Sequence, residues 1–148
     1  MLPSTDPPFA TTLLIRDTCL CLHVQRAARA LARRYDEALR PVGLTSGQFS
    51  LLMSLNRPEP PNMAQVAALL ALDRTTLTAN LKPLERRGFV DVLRGEKDKR
   101  RRSLALTPSG RCALVAAIPI WQQTHECLGA LLANSSPDRL RADLRALS

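Results

Sequence analysis

Two groups of side chains in this sequence have the types and spacing to do chemistry. The first is cationic. Between Arg94 and Arg102 six basic residues (Arg94, Lys97, Lys99, Arg100, Arg101, Arg102) stand against only Glu96 and Asp98. Just upstream, Arg74, Lys82 and Arg86 are interleaved with Thr75, Thr76, Thr78 and Ala79. Guanidinium and ammonium groups in that density bind polyanions, and small hydroxyl residues among them let a backbone approach and hydrogen-bond a base edge. The second group is thiols: Cys19, Cys21, Cys112 and Cys127, with His23 and His125 not far away in sequence. A thiolate is both a nucleophile and the form that peroxide oxidises. No His and carboxylate stand at a recognisable spacing to orient a catalytic thiol, so an enzyme is not the expectation. Nor is a metal or any other cofactor expected: on one helix, Cys19 and Cys21 point about 200° apart and cannot grip one ion together.

These side chains need elements to hold them. Apolar residues at Leu20, Val24, Ala27, Ala28, Leu31, Tyr35 and Leu39 recur every three or four positions and predict one face of a long helix, ended by Pro41 and Gly43. Thr45-Ser46-Gly47-Gln48 is a capping-box pattern opening a second helix through Phe49, Leu52, Met53 and Leu55. Three prolines in Asn56–Pro61 forbid a helical ladder, which predicts a surface linker. Asn62 and Gln65 cap a short helix carrying Val66, Leu69 and Leu70, which breaks at Leu72-Asp73. Asp73 then caps a helix from Arg74 to Arg87, stopped by Gly88. Two short helices joined by a tight turn make a helix-turn-helix. Phe89–Leu93 and Ser103–Leu106 read as strands around the charged tip, a β-hairpin wing. Thr107-Pro108 and Ser136-Pro137 each place a capping hydroxyl before a proline at the first helical position, predicting two more helices, the first with a kink at Pro119.

The expected fold is therefore mainly α with a small β-hairpin wing: four helices, the wing, two helices. Residues 1–12 are expected to be a loose, proline-rich segment and 13–148 a single domain, with 45–106 the winged helix-turn-helix and 13–44 and 107–148 dimerisation helices. Composition supports this reading. At 148 residues with 45% apolar content the chain can bury one core, and its formal charge of +8 favours a polyanionic partner. No stretch reaches the ~18 uninterrupted apolar residues of a membrane helix, and the N-terminus lacks a secretory pattern, so no membrane partner and a cytoplasmic location are expected. With aromatics at 3%, the stacking platforms that grip single strands are scarce, which favours duplex DNA.

On a helical wheel Thr75, Thr78, Ala79, Lys82 and Arg86 fall opposite Leu77, Leu81 and Leu84. A helix seated on its leucines would present that face to a major groove, with Lys82 and Arg86 suited to phosphates and Arg74 able to reach base or backbone. Pro83 breaks the pattern by removing the bond to the Ala79 carbonyl, and a local bend is expected there.

Gly43-Leu44-Thr45 with Gln48-Phe49, Leu72-Asp73-Arg74-Thr75-Thr76-Leu77-Thr78, Leu84-Glu85-Arg86-Arg87-Gly88-Phe89-Val90, Asp98-Lys99-Arg100-Arg101 and Leu106-Thr107-Pro108-Ser109-Gly110 occur in an order that resembles the MarR (multiple antibiotic resistance regulator) family. The similarity runs from about Leu13 to Leu147. It implies a homodimeric winged helix-turn-helix regulator, a repressor that binds a pseudo-palindromic duplex operator and is released by a small-molecule effector or by thiol oxidation. By the same resemblance Arg100 enters a minor groove, Asp98 holds the wing, and Lys99 and Arg101 flank them. The family's organic-hydroperoxide-sensing branch carries a reactive cysteine where Cys21 stands, an arginine and a tyrosine where Arg29 and Tyr35 stand, and a resolving cysteine near Cys127. Gln25 and Ser46 depart from that branch, which has tyrosines there. The cysteines keep two readings, redox sensor or buried structural residue. Two other classes remain open beside the regulator: a winged-helix module for protein association, and a thiol enzyme.

Overall fold

The computed structural model describes residues 6–148. Its elements are α1 (Phe9–Thr18), α2 (Leu20–Leu39), a 3-10 turn (Arg40–Val42), α3 (Ser46–Leu55), α4 (Met63–Leu70), α5 (Arg74–Arg86), β1 (Val90–Arg94), β2 (Arg102–Leu106), α6 (Pro108–Gly129) and α7 (Pro137–Ala146). The caps read from sequence are in place. Thr45 with Gln48, and Asn62 with Gln65, close reciprocal capping boxes, and Thr107 and Ser136 each accept from the backbone N–H three residues on. Each bond satisfies a donor that the first helical turn leaves without an intrahelical partner. Gly43 (φ 69°) and Gly88 (φ 72°) take the left-handed backbone that ends the 3-10 turn and α5. Ala71 does the same at the end of α4 (φ 51°), and its Cβ makes that turn a mildly strained one.

One core serves the whole winged unit. Leu39, Leu44, Leu51, Leu52 and Leu55 meet Val66, Leu77, Leu81 and Leu84 from the helix pair, Val90 and Leu104 from the wing, and Leu114 and Ala117 from α6. Burying each large side chain contributes roughly 1.5–3 kcal/mol, enough to seat α5 on its three leucines. The wing is a two-stranded antiparallel sheet in which Val90 pairs with Leu106 and Arg94 with Arg102.

Two features differ from the sequence reading. A helix begins at Phe9, inside the segment expected to be loose, because residues 9–18 contain no proline and can hold a ladder; residues 1–5 lie outside the described part. The Asn56–Pro61 linker is exposed only as far as Pro60. Pro61 is fully buried and its carbonyl accepts from Leu104 N–H at 2.9 Å, while Asn62 bridges to Ser103, so the segment adds a short third rung to the wing. Proline can only accept in such a ladder, which suits an edge. Within one chain the apolar face of α2 is largely uncovered: Leu20 is 68% exposed, and only Leu39 is buried. Both α5 and α6 continue as helices through Pro83 and Pro119.

The start of α6 is locked against the end of α5. Thr107 Oγ1 donates to the Gly88 carbonyl at 2.5 Å, Thr107 N–H to the Phe89 carbonyl at 3.1 Å, and a Cβ on Gly110 would overlap that same Phe89 carbonyl. Gly110→Ala is therefore expected to lower stability by about 3 kcal/mol, the upper range of overpacking, because both colliding groups are backbone. Urea denaturation of the two proteins measures it.

Candidate nucleic-acid interface

Asp73 organises the start of α5. Its Oδ1 accepts from Thr76 N–H at 2.8 Å and its Oδ2 from the Thr76 hydroxyl at 2.7 Å. These bonds, the backbone one first, hold the Asp73 carboxyl below the usual carboxylate range. With Leu77, Leu81 and Leu84 buried, Arg74, Thr75, Ala79, Lys82 and Arg86 stand exposed on the other side. Thr78 is half-buried and its hydroxyl donates to the Arg74 carbonyl at 2.8 Å. Thr76 and Thr78 thus have their hydroxyl protons engaged within the helix and offer a base only an acceptor or a methyl group.

The wing tip is closed by Asp98. Its Oδ1 accepts from Arg100 N–H at 3.0 Å, its carbonyl accepts from Arg101 N–H at 3.0 Å, and Gly95 N–H donates to the Arg101 carbonyl at 2.8 Å. The backbone of Arg100 is fixed in this way while its side chain stays exposed. Arg100, Arg101 and Arg102 come together with Arg74, and with the start of α4 at Asn62, Met63 and Ala64, around an open groove of 410 Å³. Lys99 stays at the outer tip, Lys82 and Arg86 at the far half of α5. Among the described residues the ion pairs are Arg16–Asp17 and Arg141–Asp138, neither of them in this region, so the groove carries uncompensated positive charge.

The sequence reading missed two contributors. Arg102 belongs to this groove as the first residue of β2, although it ended the basic run without a role of its own. Arg87, one residue past Arg86, is exposed but held to the fold: its guanidinium donates to the Gly43 carbonyl and lies over the Phe89 ring. Nothing in the sequence signals a partner 44 residues away.

The sequence pattern of the MarR family matches residues 44–101, the part of the chain that forms this surface. Beyond it, the chain is similar to the transcriptional regulator MosR of M. tuberculosis, solved in complex with DNA, at 39% identity and a TM-score of 0.80, with 88% of this chain and 93% of that one covered. The chain belongs to the MarR family. A second structure, the transcriptional repressor CouR bound to a 23-mer DNA duplex, gives 30% identity and a TM-score of 0.79, covering 90% of this chain and 94% of that one. The HTH-type transcriptional regulator SarZ of Staphylococcus haemolyticus is 31% identical over 91 residues, 62% of each chain, so the matched part spans less than two thirds of that relative.

Within one chain, most thiols of this MarR-family protein are uncovered. Cys19 is half-buried and lies in extended backbone between α1 and α2, so the single-helix geometry assumed for Cys19 and Cys21 does not apply. Cys21, Cys112 and Cys127 are exposed, because the helix faces that carry them have no cover within one chain. Gln25 Nε2 donates to Cys21 Sγ at 3.3 Å. The residue that departs from the peroxide-sensing pattern therefore itself supplies a donor to the sulfur. Among the described residues no cluster of three or more His, Cys, Asp or Glu side chains could hold a metal.

Because the Asp73 carboxyl titrates lower in the folded chain than in the unfolded one, its ionised cap stabilises the fold fully above the unfolded value, about pH 4, and this contribution is lost as pH falls through the folded value. Asp73→Asn, which keeps a capping oxygen without the charge, is expected to melt below the unsubstituted protein at pH 6 and to converge with it toward pH 3. Thermal melts across that range check the sign.

Proposed function

We propose that this chain is a sequence-specific regulator of transcription that acts as a homodimer on duplex DNA, reading a pseudo-palindromic operator with one winged helix-turn-helix per half-site. The observation that carries this reading is the meeting of Arg74 with Arg100, Arg101 and Arg102 around one groove beside the exposed face of α5. In this reading α5 enters the major groove: Thr75, Thr76, Thr78 and Ala79 approach base edges, while Arg74, Lys82 and Arg86 hold phosphates. Arg100 reaches the flanking minor groove, where a narrow A·T-rich segment concentrates negative potential. Asp98 fixes the loop that presents it, with Lys99 and Arg101 on the adjacent backbone. DNA-bound MosR and CouR support this use of the fold.

Dimerisation follows from what one chain leaves uncovered. Neither α1 nor α7 has a buried residue. Leu14, Ile15, Val115, Leu131 and Leu147 are each more than half exposed, and α2, α6 and α7 enclose an open apolar groove of 810 Å³. Apolar area of this extent is the mark of an interface, and a module that contacts only a few base pairs gains specificity by pairing. Residues 45–106 accordingly form the reading unit and residues 13–44 and 107–148 the dimer helices. The setting for this function is the cytoplasm; no helix among the described residues is long and apolar enough to cross a membrane.

Repression relieved by a signal is the regulation we assign. A small-molecule effector is one form of it. The exposed Cys21 with its Gln25 donor favours a second, oxidation by an organic hydroperoxide. The thiolate attacks the peroxide oxygen, an alcohol leaves, and the resulting sulfenic acid condenses with Cys127 of a partner subunit, releasing water.

Selection from a random duplex library is expected to return an inverted repeat, with log affinity falling by about 0.9 per phosphate contact for each unit of log salt. Arg100→Ala should fold normally and lose about 10- to 100-fold in specific affinity, the range of one base-reading contact. Unchanged affinity would remove Arg100 from the interface. For the thiol reading, mass spectrometry after one equivalent of organic hydroperoxide should find a Cys21 sulfenate or a Cys21–Cys127 crosslink together with loss of DNA binding; unmodified Cys21 with binding intact would end it.

A further inference from the structure

Arg87 stands at the end of α5, next to the side chains assigned to DNA, and although exposed its guanidinium is tied back to the fold. Nη1 donates to the Gly43 carbonyl at 2.7 Å, and the guanidinium carbon lies 4.5 Å from the centroid of the Phe89 ring. Gly43 closes the turn that follows α2, and its own N–H returns to the Arg40 carbonyl at 2.9 Å. The fit is close enough that a Cβ on Gly43 would stand 3.2 Å from Nη2. On the other side, Gly88 and Phe89 are bound to Thr107 and packed on Gly110 at the start of α6. One guanidinium therefore joins the end of the reading helix to the end of α2, at the point where α6 is already fixed.

We propose that Arg87 is a positioning residue that sets the angle between α5 and the dimer helices, and through it the half-site spacing that the dimer accepts. This rests on the duplex-binding dimer proposed above. Leu77, Leu81 and Leu84 seat α5 by apolar packing, which holds a helix down but is non-directional. A charge-assisted bond from a planar fork, stacked on a ring, has a fixed direction. A lysine would keep the charge without the plane. Spacing is the property such a strut controls: each inserted base pair moves a half-site by about 3.4 Å and turns it by about 35°, so a stiff dimer cannot read both half-sites of a mis-spaced operator. Arg87 itself makes no phosphate contact in this account.

The test compares the unsubstituted protein with Arg87→Ala, Arg87→Lys and Phe89→Leu. Each is titrated with the inverted-repeat duplex recovered by selection and with versions carrying one or two base pairs inserted at, or removed from, its centre; circular dichroism verifies folding. The unsubstituted protein is expected to lose on the order of 100-fold in affinity at two inserted base pairs, because one half-site falls out of register. Arg87→Ala is expected to bind the optimal duplex more weakly and to reduce that spacing penalty to about 10-fold or less. Arg87→Lys and Phe89→Leu should fall between, and the salt slope should stay at the unsubstituted value in all three. If Arg87→Ala does not fold, the other two variants decide by the same criterion. A spacing penalty equal to that of the unsubstituted protein overturns the strut. A salt slope smaller by about 0.9 per protomer also overturns it, in favour of a direct phosphate contact. Failure of the unsubstituted protein to bind any duplex overturns the DNA-binding reading itself, and the strut with it.

Discussion

Where α6 begins, the backbone of Gly110 lies against that of Phe89 so closely that no side chain fits between them. Thr107 reinforces the crossing by giving its hydroxyl to Gly88 and accepting from Gly110 N–H. Three elements depend on this point: α5 ends there, β1 leaves from it, and α6 starts on it. The wing can project from the end of the reading helix at a fixed direction because its two strands enter and leave through one packed junction. Val90 and Leu104, one buried residue from each strand, then continue the core of the helix pair into the sheet. A basic hairpin without that anchorage would be a solvated loop, and its arginines would meet a surface only at the entropic cost of ordering them.

The charged surface is organised by short acids that are used up locally. Asp73 engages Thr76, and Asp98 engages the backbone of Arg100. Both carboxylates shape the backbone that presents cations and neither pairs with one, so the positive potential is left for an external anion. The same economy limits the threonines. With the protons of Thr76 and Thr78 committed inside the helix, these two side chains offer an approaching group accepted bonds and methyl contacts rather than donated ones.

The outer helices answer to a different rule. The winged unit buries most of its leucines within the chain, Leu69 and Leu93 excepted, whereas α1, α7 and most of α2 expose theirs. The half of the fold that is complete in one chain is the half assigned to reading DNA. The half that is incomplete is the one proposed to meet a second copy, and it also carries the exposed thiols Cys21 and Cys127. The uncovered apolar side chains and the exposed sulfurs therefore lie on the same helices.

Much of this was legible in the residues. Capping side chains at Thr45, Asn62, Asp73, Thr107 and Ser136, and glycines at 43 and 88, mark element ends because each satisfies a local backbone demand within three or four residues. The leucine stripe of α5 is equally local, so its exposed opposite face could be written from sequence alone, while the role of Asp98 in holding the wing came from the family resemblance. What the sequence could not supply is contact between segments far apart in the chain. Pro61 reads as a linker until Leu104 is found donating to it. Arg87 reads as one more surface cation until Gly43 and Phe89 are found around it, and Arg102 gains a role only when Arg74 stands across a groove. Cys19 falls out of the helical register only because the chain breaks there, and the cover over Cys21 is decided by what α2 packs against, not by its periodicity. Hydrogen bonds that close within one turn are written into neighbouring residues, whereas those that join distant backbones depend on the packing of the whole core, and only the tertiary structure fixes that.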